Sequence, residues 1–408
     1  MMGVSEAVID TLNTGRGLLE DEPQPPVVLQ VLPSLEPDRA GRAAAEIAGA
    51  IVAAGGVAII ASAGGRMVRL LDRVGARHVS LPLDSRNPFV IAANAVRLTR
   101  LVRRNGIDIL HAYGHAPAWS ARVAARRTGR PFITTVHALP KGDGYLRRRY
   151  NAAMAAGDRV IAVSDFVAEH VVANCAVEPD RLRLVHGGID LRHFDPDQVS
   201  PHRIAQLSQQ WRLPDGVPLV LVPGRFVRPR GHRAVIEALT HLGDRELLCV
   251  LVAAEGDAEG PAAYRREIEG LIDRYGLGDR VYIAGVCADM PAAYMLADVV
   301  VSCPTRPDSF AGVIAEARAM GRPVVAGDHG AAREQLAEGL MSWLVAPDDP
   351  AAIAAAIGEA LDLTGEERSR FAPAVIAAAR ARFSKDVMCA RTLAVYAELL
   401  GAAAGGAR

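Results

Sequence analysis

Short apolar runs alternate with longer stretches of helical period along almost the whole chain, and the pattern occurs twice. In the first half the runs are Val27–Leu32, Val57–Ala61, Ile107–Ala112, Phe132–Val136, Arg159–Val163 and Leu182–Val185. Between them lie helix-period stretches such as Arg42–Ala54, Phe89–Arg104 and Ala118–Arg127. Such alternation implies βαβ units and a parallel sheet covered on both faces. Near-continuous apolar runs such as VVLQVL agree with strands buried on both sides. The pattern pauses at Phe194–Pro218, which holds Asp195-Pro196-Asp197, one short polar helix and Pro214-Asp215-Gly216. It restarts with Leu219–Val222, Leu247–Ala253, Val281–Ala284, Val299–Ser302, Pro323–Ala326 and Trp343–Val345, and two amphipathic helices, Glu366–Arg382 and Lys385–Leu400, come last. The expected fold class is α/β, with two doubly wound domains in tandem. In open α/β sheets ligands bind beyond the carboxyl ends of the strands, so the residues that follow each strand are the ones to inspect.

Length and chemistry narrow the function. A chain of 408 residues is long enough for two or three domains with their own cores. The five cysteines, Cys175, Cys249, Cys287, Cys303 and Cys389, are scattered and form no CxxC pair, which disfavours a disulfide framework or a zinc site and fits a reducing compartment. Met1–Glu22 lacks an apolar core behind positive charge, and no apolar run approaches the roughly 20 residues of a membrane span. A cytoplasmic protein is expected, at most peripheral on the inner face of the membrane. Net charge is zero but unevenly spread: Arg97–Arg159 holds thirteen basic against three acidic residues, whereas Gly231–Arg408 holds seventeen against twenty-five. That split suggests an anionic partner for the first half. Nucleic acid is disfavoured because aromatics do not interleave the basic residues. No P-loop, HExxH or GxSxG motif is present, so ATPase, zinc-protease and serine-hydrolase readings lack support.

The densest signal is residues 298–334, DVVVSCPTRPDSFAGVIAEARAMGRPVVAGDHGAARE. A strand ends at Cys303-Pro304, a loop follows, and Asp308 or Ser309 is expected to cap a helix running to about Met320. Asp308 and Glu316 are eight residues apart, about 12 Å along a regular helix, too far to hold one atom but suited to two ends of an extended ligand. The small residues Ala311 and Gly312 leave the helix start open, where amides and the positive dipole end suit a diphosphate. A second stretch, residues 219–233, LVLVPGRFVRPRGHR, follows a strand with glycine and then Arg225 and Arg230. A third, residues 108–140, ends two strands at His111 and His137.

Together these stretches resemble the family-4 retaining glycosyltransferases. The likeness is carried by Asp308, Glu316, Gly321-Arg322-Pro323-Val324-Val325 and Gly330–Glu334, by Gly224-Arg225 with Arg230-Gly231, by Asp158–Ser164 and by Arg181–Asp190, and it extends over about residues 27 to 400. The chain departs from the family pattern in several places. Asp308 stands where Glu is usual, Phe310-Ala311 replaces Phe-Gly, Arg230 replaces Lys, and His186 replaces Asn. The Gly-Gly loop after the first strand is reduced to Gly41. Only two lysines exist in the chain, Lys141 and Lys385, so arginine in a lysine position is unsurprising.

The resemblance implies a GT-B fold, two Rossmann-like domains facing across a cleft. Its parts would be a flexible tail at 1–26, an acceptor domain at 27–200, a linker at 201–217, a nucleotide-sugar domain at 218–384, and a helix at 385–408 returning to the first domain. It implies transfer of a sugar with retained configuration, from a nucleotide-sugar linked to UDP or GDP, without metal or other cofactor. The acceptor would be lipid-linked, lipopolysaccharide or another glycan, and Arg97–Arg159 would meet an anionic membrane or acceptor. Arg225 and Arg230 would clamp the phosphates, Asp308 and His137 would orient the sugar, and Glu316 would hold the ribose. The donor would lie on Gly224, Ser309, Phe310, Ala311, Gly312 and Val313. Gly41, His111 and Ser164 are candidates for the acceptor side or its loops. Asp195-Pro196-Asp197 mimics a metal-holding DxD but stands in a linker, not after a nucleotide-binding strand. A nucleotide-sugar epimerase and a non-catalytic sugar-nucleotide-binding scaffold are the competing readings.

Overall fold

The computed structural model describes residues 25–137, 151–175, 177–254 and 261–405. The chain forms two compact units. One contains the residues up to Gly188 together with those from Lys385 onward; the other is Ile189–Ser384.

The first unit is built on a seven-stranded parallel sheet. Its strands are β1 (Val27–Val31), β2 (Val57–Ser62), β3 (Arg77–Ser80), β4 (Ile109–Tyr113), β5 (Phe132–Val136), β6 (Arg159–Ala162) and β7 (Leu182–Leu184). Their order is β3-β2-β1-β4-β5-β6-β7. The sequence pattern contains every one of these except β3, an edge strand whose four residues, RHVS, include one apolar side chain. The second unit carries a six-stranded sheet ordered β10-β9-β8-β11-β12-β13. Its strands are β8 (Leu219–Pro223), β9 (Leu248–Ala254), β10 (Val281–Cys287), β11 (Val299–Ser302), β12 (Val324–Gly327) and β13 (Ser342–Val345). Every strand pairing in both sheets is parallel.

An aspartate just before a strand fixes the register at three places. Asp108 accepts a hydrogen bond from the Val27 amide (2.9 Å) and donates its own amide to the Val27 carbonyl (2.8 Å). Asp158 clasps Phe132 in the same way, at 2.8 and 2.6 Å, and Asp298 clasps Leu219, at 2.8 and 2.9 Å. Each clasp satisfies a strand-entry amide that a parallel ladder leaves unpaired.

The boundary between the units falls at Gly188/Ile189, not near residue 200. Residues 189–217 go with the second unit because their side chains are spent there. Arg203 binds Asp289 through two nitrogens (2.8 and 2.6 Å), Phe194 meets Tyr294 edge to face, and Arg380 donates to Asp195 (2.8 Å). Asp195 also caps the short turn Pro196–Gln198, so the DxD look-alike is a structural cap. The last helix, Lys385–Gly405, joins the core of the first unit, where Met388, Leu393 and Tyr396 are buried. Glu398 on this helix is bound by Arg159 (2.6 and 2.8 Å) and by Arg183 (2.9 Å), which hold its carboxyl at about 2.

Candidate donor site

In each sheet the strand order reverses once, between β1 and β4 and between β8 and β11. At such a switch point the connections leave in opposite directions and open a crevice beyond the strand ends. In the second unit the loops after β8 and β11 meet there. β8 continues into Gly224, whose amide binds the Val252 carbonyl (2.8 Å), and into the exposed Arg225. Phe226 is buried and stacks on His232 (ring centres 5.0 Å apart), while a short turn, Arg228–Arg230, leads to Gly231. Gly231 has φ +79°, and a Cβ there would stand 1.8 Å from the Cys303 carbonyl oxygen. This glycine lets the β8 loop lie directly on the β11 loop. The contact brings Arg230 to Asp308, with Nη1 donating to Oδ2 at 2.8 Å and both side chains about one-fifth exposed.

Asp308 is pinned from the β12 side as well. Gly330, at φ +61°, packs so closely that a Cβ would fall 2.7 Å from the Asp308 carbonyl oxygen, which accepts from the Ala331 amide (3.0 Å). The Asp308 carboxylate is engaged by Arg230, and neither Asp308 nor Ser309 is the residue through which the following helix is entered. The helix is Gly312–Ala319, entered through Ala311 with no side-chain cap on that residue, two or three residues later than the sequence suggests. Asp308 and Glu316 therefore do not share one regular helix, and the 12 Å estimate does not apply. Phe310 and Ala311 are buried, with Phe310 against Phe383 (6.0 Å), so a ligand could meet their backbone but not their side chains. Gly312 and Val313 are half-buried at the helix start. Glu316 lies one turn in and accepts a hydrogen bond from the Tyr294 hydroxyl (2.7 Å). Beneath it Arg318, 1% exposed, anchors the helix through the Leu340 carbonyl (3.0 Å) and Glu338 (3.1 Å).

In the first unit the candidates separate. His137 follows β5 and stacks on Tyr113 (5.6 Å); burial and the nearby Arg39 push its pKa down to about 4, so it is neutral near pH 7. His111 is fully buried in β4, between Thr135 (2.6 Å) and the hydroxyls of Tyr396 (2.7 Å) and Tyr113 (3.1 Å). Its pKa falls to about 3, mainly through burial. It is a core hydrogen-bonder out of an acceptor's reach. Ser164 is buried too, and its Oγ accepts from the Val167 amide (3.1 Å) at the start of the helix Asp165–Cys175. Gly41 lies in the helix Arg39–Ala53, where Asp38 accepts from its amide (2.8 Å) and a Cβ would be 2.0 Å from the Glu36 carbonyl oxygen. The loop between β1 and this helix thus folds tightly onto that glycine.

Residues 40–193 match Glycosyltransferase Family 4, and residues 217–362 match Glycosyl transferases group 1. A D-inositol 3-phosphate glycosyltransferase of Xylanimonas cellulosilytica is 33% identical over 313 residues, which cover 71% of this chain and 72% of that protein. The chain belongs to the family-4 glycosyltransferases. A glycosyltransferase of Rickettsia africae superposes with a TM-score of 0.85 at 28% identity, covering 92% of this chain and 99% of its own. An Anabaena protein, HepE, solved in complex with UDP, reaches 0.79 at 22% identity over 91% and 99% of the two chains, a likeness of fold. The fold is GT-B, two Rossmann-like units. Three residues that pack around this candidate site escaped the sequence reading: Tyr294, Arg318 and His329. Only His329 had a local signal, since it lies in the Gly-Asp-His-Gly turn directly after a strand, where ligand-facing residues of such sheets concentrate.

Proposed function

We propose that this glycosyltransferase moves a sugar from a UDP- or GDP-linked donor to a hydroxyl of a phosphate-bearing acceptor, with retained anomeric configuration and no bound metal. One observation carries the donor half. At the switch point of the second unit, the loop after β8 carries the exposed Arg225 and the Arg230 that pairs with Asp308, and the helix entered through Ala311 bears Glu316 one turn in. Two guanidinium groups and helix amides neutralise a diphosphate as negative charge grows on it, so a divalent ion is unnecessary. Glu316 holds the ribose, Asp308 orients the sugar, and an oxygen of the departing phosphate takes the proton of the acceptor hydroxyl. Supporting an anionic acceptor, Arg97, Arg100, Arg103, Arg104, Arg126 and Arg127 are all exposed on the packed helices Pro88–Asn105 and His115–Thr128. Part of the basic stretch, Lys141 and Arg147–Arg149, lies outside the described residues. Phe89, 84% exposed at the start of the first of these helices, favours a lipid-linked acceptor, glycolipid or lipopolysaccharide, at the cytoplasmic face of a membrane. Among the described residues no helix is long and apolar enough to cross one. The relatives' acceptor by name, D-inositol 3-phosphate, is a small member of the same phosphate-bearing class.

Replacing Arg225 or Glu316 with alanine should lower transfer about 10²- to 10³-fold while the melting temperature holds. Near-normal activity in both would sink the donor assignment. Transfer that survives EDTA, with product anomers matching the donor, is expected. Conversion of donor to its epimer without acceptor would instead favour an epimerase, and donor binding without turnover a scaffold. Flotation with vesicles, with and without acidic lipid, tests the membrane face, and equal recovery would remove it. An acceptor assay pairing D-inositol 3-phosphate with extracted envelope lipids separates the soluble from the lipid-linked acceptor.

A further inference from the structure

His329 sits in the turn after β12, between the loops that frame Asp308. Its Nε2 lies 2.8 Å from the Pro304 carbonyl oxygen. A carbonyl only accepts, so Nε2 must carry the proton, and in the neutral ring Nδ1 is then a bare acceptor. That Nδ1 is shielded from solvent and has no hydrogen-bond partner among the described residues. The backbone amide of His329 binds the Gly327 carbonyl (2.8 Å), and the ring lies over this glycine, where a Cβ would stand 3.4 Å from the imidazole. Beside it is a small concavity lined also by Ser302, Pro304, Asp308, Ala311 and Gly327, at the carboxyl ends of β11 and β12. A buried acceptor left unpaired costs about 1–3 kcal/mol, so such atoms are generally met by a donor.

We propose that His329 is a specificity-determining residue: its Nδ1 accepts a hydrogen bond from one hydroxyl of the donor sugar, the same sugar that Asp308 orients. The inference rests on the nucleotide-sugar reading above. Asp308 and His329 then line one concavity together, and a sugar presenting a hydroxyl to Nδ1 is selected over one lacking it. Tautomer locking matters, because the Pro304 bond prevents Nδ1 from becoming the donor while the ring is neutral.

Two substitutions separate the ring's two nitrogens. His329→Asn keeps an acceptor near the Nδ1 position and gives up the bond to Pro304. His329→Gln reaches Pro304 with its amide nitrogen and leaves the Nδ1 position without an acceptor. Calorimetry would compare free UDP and GDP with UDP-glucose, UDP-galactose, UDP-N-acetylglucosamine and GDP-mannose. For the preferred sugar nucleotide, the wild-type chain should gain roughly ten- to hundredfold over the free nucleotide. His329→Gln should lose most of that gain with nucleotide affinity unchanged, and His329→Asn should keep it. Equal gain in wild type and His329→Gln overturns the inference, as does equal loss in both variants at unchanged melting temperature, which marks a structural role. A wild type that binds the nucleotides but gains nothing from the sugar also overturns it, while one that binds no nucleotide overturns the underlying reading instead. Should either variant fail to fold, single-deoxy analogues of the preferred donor serve with the wild-type chain. One position must lose about tenfold or more, and uniform tolerance refutes the proposal.

Discussion

Three histidines show how burial decides a residue's part. His111, His137 and His232 have pKa values pushed down to about 3, 4 and 4, chiefly by burial, against an ordinary value of 6.5. Each is a base whose folded value lies below its unfolded one, so as the pH falls the unfolded chain binds protons first. Their contribution is complete above about pH 6.5 and is lost between there and about pH 4, at up to about 1.4 kcal/mol per pH unit for each histidine. Urea unfolding should therefore show the wild-type chain clearly less stable at pH 5.5 than at 7.5; a flat profile would contradict these values. From the sequence His111 and His137 look alike, each closing an apolar strand. What separates them is Tyr396, 285 positions away, whose hydroxyl binds the His111 ring. Local pattern carries no trace of such a partner.

At the scale of elements, the aspartate clasps account for much of what the sequence does reveal. A run such as DRVIA or DVVVS marks a strand entry, and β6 and β11 lie where the pattern puts them. Replacing Asp158 with alanine would leave the Phe132 amide without its acceptor at a buried strand start, and about 1–3 kcal/mol should be lost. Asp158→Asn keeps an acceptor oxygen and should cost less, a difference readable in thermal melts; equal losses would argue against the clasp. The helix after β11 shows the limit. Capping preference points to Asp308 or Ser309, yet the Asp308 carboxylate is committed to Arg230, 78 residues earlier, and the helix waits until Gly312. A long-range charge pair and a departure from the local capping rule coincide at the place where the candidate site is assembled. The edge strand β3 was missed for a different reason. Half solvated and four residues long, it lacks the apolar run that a doubly covered strand requires.

On the scale of the whole molecule, the last helix belongs to the first unit. Met388, Cys389, Leu393, Val395, Tyr396 and Leu399 all enter its core, and Glu398 ties the helix to β6 and β7 through Arg159 and Arg183. Ending the chain at Ser384 would uncover that apolar surface, and the first unit should then become protease-sensitive and aggregation-prone while residues 189–384 keep their own core. Limited proteolysis followed by mass mapping would check this, and a truncated chain as resistant as the intact one would refute it. The arrangement also orders events on the ribosome. Everything that forms the second unit is synthesised before this helix appears, so that unit can finish folding first. The half translated first must wait, its sheet made but one flank bare, until the helix that begins at Lys385 clears the exit tunnel.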